Sequence, residues 1–179
     1  MPNEHTPTFG GGVDARMPPS QLLFYPIDLS RHAALATEFR RDSYVCSFGD
    51  DEIFVQENGA DASGYIEWLE ARLAQFPEGH VHAWQGDEIV GQVELIIGPR
   101  GGYINLFYLR PESRGHGLGD ELHDYAIAVF QRRGVGLAGL SVSPTNLRAV
   151  RYYERHGWRD RGPRPGAPHV REMELIIPA

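Results

Sequence analysis

Arg114-Gly115-His116-Gly117-Leu118-Gly119 is the stretch of this chain whose residue types and spacing point most directly to chemistry. Glycines carry no Cβ, so a ligand can come close to the backbone there. Behind the loop, Leu118, Leu122, Tyr125, Ala126 and Val129 recur at i, i+4, i+7, i+8 and i+11, one face of an α-helix. The first N–H groups of a helix lack internal acceptors and lie at the positive end of its dipole. Ahead of the loop, Tyr103 to Leu109 is aromatic and apolar, and Arg110-Pro111 closes it. A strand, a glycine loop and a helix N-terminus in that order make a phosphate cradle. The dinucleotide pattern G-x-G-x-x-G does not fit, because Asp120 stands where the last glycine belongs. A Walker loop does not fit either, since no Lys-Ser/Thr pair follows the glycines.

What does fit is Arg-x-x-Gly-x-Gly, as Arg114, Gly117 and Gly119. This resembles the acetyl-CoA pyrophosphate loop of the GNAT superfamily of N-acetyltransferases. A second stretch strengthens the resemblance. It holds Asn146, Ala149-Val150, Tyr152-Tyr153-Glu154 and Gly157-Trp158, and is similar to the second signature of that superfamily. The two cover about the last eighty residues; ahead of them only the order of the elements agrees. The resemblance implies acetyl-CoA as cosubstrate and no metal. Arg114, Gly115, His116, Gly117, Leu118 and Gly119 would hold the pyrophosphate. The pantetheine arm would pair with the strand backbone at Phe107, Tyr108 and Leu109, as an added strand pairs with an open sheet edge. Asn146 fits the asparagine that hydrogen-bonds the cofactor; as a helix cap it would serve equally, and both roles can coexist.

Acyl transfer from a thioester to an amine needs few parts. The amine must be neutral, the carbonyl oxygen must be stabilised, and the leaving thiolate gains from a proton donor. Tyr153 occupies the tyrosine position of the second signature, where the family places a phenol near the sulfur. Its other reading is a core tyrosine, and Tyr152 is then the packing partner, because consecutive helix residues do not share a face. The base is less determined. The strand position that is acidic in many relatives falls on Asn105 or Leu106, and neither is a base. Glu94 is the best substitute. It interrupts an apolar strand, so it lies on a wet face or in a pocket that raises its pKa. The amine can also lose its proton through water.

The eight histidines raise the question of a metal. His80 and His82 share a strand face, and His116 and His123 are two helical turns apart, but no H-E-x-x-H or Cys-x-x-Cys accompanies them. No metal site is expected. Cys46 has no partner for an internal disulfide, which fits a cytoplasmic location, and in a helical pattern it reads as a small buried residue.

The formal net charge of −7 argues against nucleic acid, which needs a basic footprint. No apolar run is long enough to span a membrane, and no signal pattern opens the chain. A small-molecule or peptide amine is the expected acceptor. The acidic stretch 46–61 would favour a cationic one if it lines the site; otherwise it is a solvated loop. A homodimer is compatible with the chain.

These residues need a scaffold. Residues 1–20, rich in Pro and Gly, read as a mobile tail, and 21–179 as a single N-acetyltransferase domain. Leu22 to Tyr25 reads as a strand. A helix over about 31–45 follows, with Ser30 as N-cap, and then a turn segment over 46–61. A second helix follows, with Ser63 as its cap, and then three strands, over 80–84, 88–97 and 103–109. The cradle helix spans about 117–133. A strand over 137–142, the Tyr153 helix, a Pro/Gly loop over 160–168 and a last strand over 170–177 complete the chain. The order β-α-α-β-β-β-α-β-α-β resembles the GNAT fold: an α/β (α+β) arrangement with a mixed, twisted sheet, splayed between its fourth and fifth strands and flanked by helices. The function expected is N-acetyl transfer; the rival reading is an acyl-CoA-binding sensor without turnover.

Overall fold

The computed structural model of the protein describes residues 21–178. The expected tail, 1–20, lies outside the described residues. Seven strands form one mixed sheet flanked by five helices, which is the expected fold class. The elements are β1 (Leu23–Pro26), α1 (Leu29–Phe48), α2 (Glu52–Asn58), α3 (Ser63–Gln75), β2 (His80–Gln85), β3 (Glu88–Gly98) and β4 (Gly101–Leu109). After the loop come α4 (Leu118–Arg132), β5 (Leu137–Val142), α5 (Leu147–Arg155), β6 (Arg159–Arg164) and β7 (Ala167–Ile176). The strand order is β1-β2-β3-β4-β5-β7-β6, and only β4–β5 is parallel.

The apolar stripe of α4 packs on one face of the sheet. Leu118, Leu122, Ala126, Val129 and Phe130 are buried with Val81, Val93, Leu95, Ile104 and Leu140. Each fully buried side chain of this size stabilises the fold by about 1.5–3 kcal/mol. Tyr125 is half-buried and stacks on Phe24 at 4.2 Å between centroids. The opposite face carries α1, α2 and α3 through Phe39, Phe54, Tyr65 and Leu69.

Two features of β4 position the site. Its pairing with β5 is confined to Gly102, Tyr103 and Ile104, although β4 runs on to Leu109. The two strands part beyond Ile104, leaving one edge of β4 without a strand partner. Second, Glu94 pairs with Leu106 and Leu95 with Ile104, so Asn105 is an extra residue, a β-bulge. Ile104 faces the α4 core, whereas Leu106 packs with Phe39 under α1.

Some boundaries differ from the sequence reading. Helix α1 starts earlier and runs to Phe48, and its N-cap is Asp28, whose carboxylate accepts from Ser30 N at 3.0 Å. The stretch 46–61 is not all turn. It contains α2, whose Phe54 is buried against Tyr65 and Leu69. Tertiary burial of one aromatic outweighs the turn chemistry around it. Ser63 is not a cap but follows Ala62, which takes a left-handed conformation as N-cap of α3. The Pro/Gly stretch is largely strand, because β6 pairs with β7 at the sheet edge, where proline is tolerated.

Candidate active site

Between the parting strands lies a cavity of ≈ 1140 Å³. One group of lining residues surrounds the glycine loop: Arg114, Gly115, Gly117, Gly119, Asn146, Tyr152 and Tyr153. A second group comes from the α1 side of the sheet: Arg40, Tyr44, Glu57, Tyr103, Asn105 and Ser141. The unpaired part of β4, Asn105 to Leu109, joins the two groups.

The loop is shaped for an approaching anion. Gly115 and Gly117 have φ of 86° and 82°, in the left-handed region that suits glycine. A Cβ on either would project into open space. That space adjoins the cavity, so a side chain there would fill room left for a ligand. Gly117 is the N-cap of α4. Among the described residues, the backbone N–H groups of Gly115, His116 and Gly117 have no acceptor. Gly119 is glycine for a different reason: a Cβ would sit 3.3 Å from the Tyr152 ring, whose hydroxyl donates to Gly119 O at 2.6 Å. Leu118 is buried in the core, so only its backbone can serve a ligand. His116 is exposed and is not among the cavity-lining residues.

Arg114 is braced rather than free. Its Nε donates to Leu109 O at 2.8 Å, and its guanidinium lies 3.5 Å from Asp42 Oδ2 and 5.5 Å from the Tyr108 ring centroid. Tyr108 donates to the same Asp42 oxygen at 2.7 Å. Arg114 therefore ties the loop to the end of β4 and to α1. The guanidinium and the open N–H groups fit a pyrophosphate, and the unpaired β4 edge at Phe107 and Leu109 fits an amide-bearing arm.

Asn146 caps α5, its Oδ1 accepting from Ala149 N at 3.2 Å, which leaves its amide N–H groups for a ligand. Tyr153 stacks on Phe107, 6.4 Å between centroids, and meets Trp158 edge-on. Its hydroxyl has no hydrogen-bond partner among the described residues. Burial, with Tyr103 nearby, pushes its pKa above the ordinary phenol value, so it holds its proton at neutral pH. Tyr152 points to Gly119, and its ring lies against that of His156, 4.2 Å between centroids and tilted by 33°.

Glu94 is fully buried, not solvated. Its Oε1 accepts from Tyr65 at 2.6 Å and from Gln92 at 2.8 Å. Its Oε2 accepts from Asn105 Nδ2 at 2.8 Å and lies 3.7 Å from Arg40. Arg40 in turn donates to Asn105 O at 2.7 Å. Glu94 is not in the cavity wall; it reaches the cavity through Asn105 and Arg40, which are.

Sequence reasoning missed the α1 contribution. Arg40, Ser43, Tyr44 and Ser47, spaced i, i+3, i+4 and i+7, all line the cavity. That polar stripe at helical spacing was the available signal. Cys46 is exposed at the cavity, not buried. Of the acidic residues in 46–61, Glu57 lines the cavity, bonded by Tyr44 at 3.0 Å. Asp51 pairs with Arg41, and Asp50 and Asp61 accept from nearby backbone N–H groups.

His80 and His82 are buried, and His82 meets Gln92 Oε1 at 3.1 Å. Among the described residues, no group of three or more His, Cys, Asp or Glu is placed to hold a metal ion. No helix there is long and apolar enough to cross a membrane.

A glycine cradle at a helix N-terminus beside an opened parallel strand pair is the architecture of an acyl-CoA-dependent transferase. Comparison with known proteins agrees. Residues 37–158 match the model of the acetyltransferase (GNAT) family, and the chain belongs to that family. It is an acyltransferase. An uncharacterized N-acetyltransferase of Archaeoglobus fulgidus is 30% identical over 117 residues, 62% of this chain and 78% of that protein. The PaiA N-acetyltransferase of Thermoplasma acidophilum, solved in complex with coenzyme A, superposes with a TM-score of 0.72 at 16% identity, covering 88% of this chain and 99% of that one. The spermidine N-acetyltransferase of Vibrio cholerae, solved with CoA and spermine, gives 0.67 at 17% identity, covering 88% and 96%. At such identities the structural likeness speaks for the fold.

Proposed function

We propose that this protein moves the acetyl group of acetyl-CoA onto a primary amine by direct attack, with both substrates bound together. The observation that carries this reading is the single cavity that joins the open N–H groups of the glycine loop to Asn105 on the α1 side, along the unpaired edge of β4. One end suits a pyrophosphate and the other an acceptor. Two substrates in one cavity need no covalent enzyme intermediate.

The amine nitrogen attacks the thioester carbonyl carbon, and the C–S bond breaks. The Tyr153 hydroxyl gives its proton to the departing sulfur, and the phenolate recovers one from solvent. The proton lost by the amine leaves through water in the open cavity. Glu94 acts as a positioning residue. A carboxylate offers only acceptors, so it fixes Asn105 with its N–H toward Oε2 and its Oδ1 available to the cavity. Asn105 Oδ1 then accepts an N–H from the amine and aims its lone pair.

At the acceptor end the cavity wall carries the carboxylate Glu57 with Arg40 and Arg164, the other arginines of the wall lying at the glycine loop and on α5. This balance supports an acceptor with a single ammonium, met by Glu57, over a polyamine such as the spermine bound by the Vibrio protein. The test is release of free CoA from acetyl-CoA with a panel of primary amines that includes monoamines, amino acids, peptides and polyamines. Amine-dependent release with acetylated product supports the reading. Tight CoA binding without release for any amine would leave a binding protein in its place.

A further inference from the structure

Helix α5 presents Arg148, Arg151 and Arg155 to the cavity. All three are exposed, and among the described residues none makes a hydrogen bond or an ion pair. Three unpaired arginines on one nine-residue helix are a marked local excess in a chain of formal net charge −7.

Their position relative to the cradle follows from Tyr152. Arg148 is four residues before Tyr152 and Arg155 three after it, so both share its face of the helix. Tyr152 is bonded to Gly119 O at 2.6 Å. Arg151 lies one turn beyond Arg148 on the flank of that face. The stripe therefore runs beside the loop that faces the pyrophosphate. Asp120, the carboxylate next to it, is met by His156 at 3.1 Å.

We propose that Arg148, Arg151 and Arg155 form a separate subsite for the 3′-phosphate of CoA. The proposal rests on the acetyl-CoA reading above and extends it. The pyrophosphate is served by backbone N–H groups and Arg114, and none of these is needed for a second phosphate. A phosphomonoester carries close to two negative charges near neutral pH and presents three acceptor oxygens. Guanidinium forks match such a group better than ammonium does. Exposure keeps each contact modest and salt-sensitive, so three are used together.

Calorimetric titration of the full chain with CoA and with 3′-dephospho-CoA tests this. The parent should bind CoA roughly tenfold or more tightly than dephospho-CoA, a gap that narrows with added salt. Arg148→Gln/Arg151→Gln/Arg155→Gln should close the gap by losing CoA affinity alone. Single Arg→Gln variants should each close part of it, and they stand in if the triple variant melts early. Equal affinity of the parent for both ligands would overturn the subsite, as would an equal loss of both in the variants. If the parent binds neither ligand, the acetyl-CoA reading itself fails and takes the subsite with it.

Discussion

Asn105 Nδ2 donates to Glu94 Oε2 at 2.8 Å across the bulge in β4. The bond links a carboxylate that never meets the cavity to an amide that does. Asn105→Ala should lower kcat/KM for the amine by about tenfold or more while the Kd of CoA stays put. Glu94→Gln should act in the same direction, because its new NH2 faces that of Asn105 and turns the amide over. It should also lower Tm, since Arg40 loses its buried partner, a change of about 3 kcal/mol. Placing Asn105→Ala in the Glu94→Gln background should add little further kinetic loss, as expected for residues acting in series. Full additivity would separate the two residues.

The adjacent tyrosines of α5 should give opposite phenotypes. Tyr153→Phe keeps the ring against Phe107 and removes a hydroxyl without a protein partner, so stability and CoA affinity should hold. Turnover should fall by about 10²-fold, as for a lost general acid. Tyr152→Phe breaks the bond to Gly119 O, which should cost about 1 kcal/mol of stability and weaken CoA binding with turnover retained at saturation. Parallel kinetics and melting curves decide the matter. Parental turnover in Tyr153→Phe would make that residue part of the packing only.

Gly117→Val tests the cradle. The left-handed φ of 82° costs a β-branched residue about 1–2 kcal/mol, and the side chain then occupies the open space above the loop. CoA affinity should fall by about tenfold or more in a protein that still melts cooperatively. Unchanged affinity in a folded variant would remove the loop from the binding site.

Acid should destabilise the fold before the carboxylates titrate. His82 and His123 are pushed down to about 4, chiefly by burial, from an ordinary value near 6.5. Between those values the unfolded chain binds protons that the folded one refuses, so stability rises with pH across that window and is lost as pH falls through it. The full effect is on the order of 3 kcal/mol per histidine. Urea midpoints from pH 7 to pH 4 should show the slope, and His82→Gln should flatten it. A flat profile for the parent would contradict the burial of both rings.

The amino-acid sequence by itself determined the cradle and its helix. The glycine spacing and the stripe Leu118 to Val129 are local, and local periodicity dictates both a helix and the face it buries. It also determined the two family signatures, and with them the class of reaction. Other features depended on contacts distant along the chain. Strand alternation puts Glu94 on the face of Gln92, but Tyr65 of α3, Arg40 of α1 and the bulged Asn105 of β4 are what enclose it, so its burial could not be read from β3. Helix α2 exists because Phe54 is buried against residues of α3, a contact invisible to local turn preferences. Cys46 and Ser47 meet the cavity because α1 continues past its expected end, extending the stripe that Arg40, Ser43 and Tyr44 begin. The β4 edge is open because pairing with β5 ends at Ile104, and no residue type announces where two strands part. Only the tertiary structure decided those points, because each depends on which distant surface a side chain is packed against.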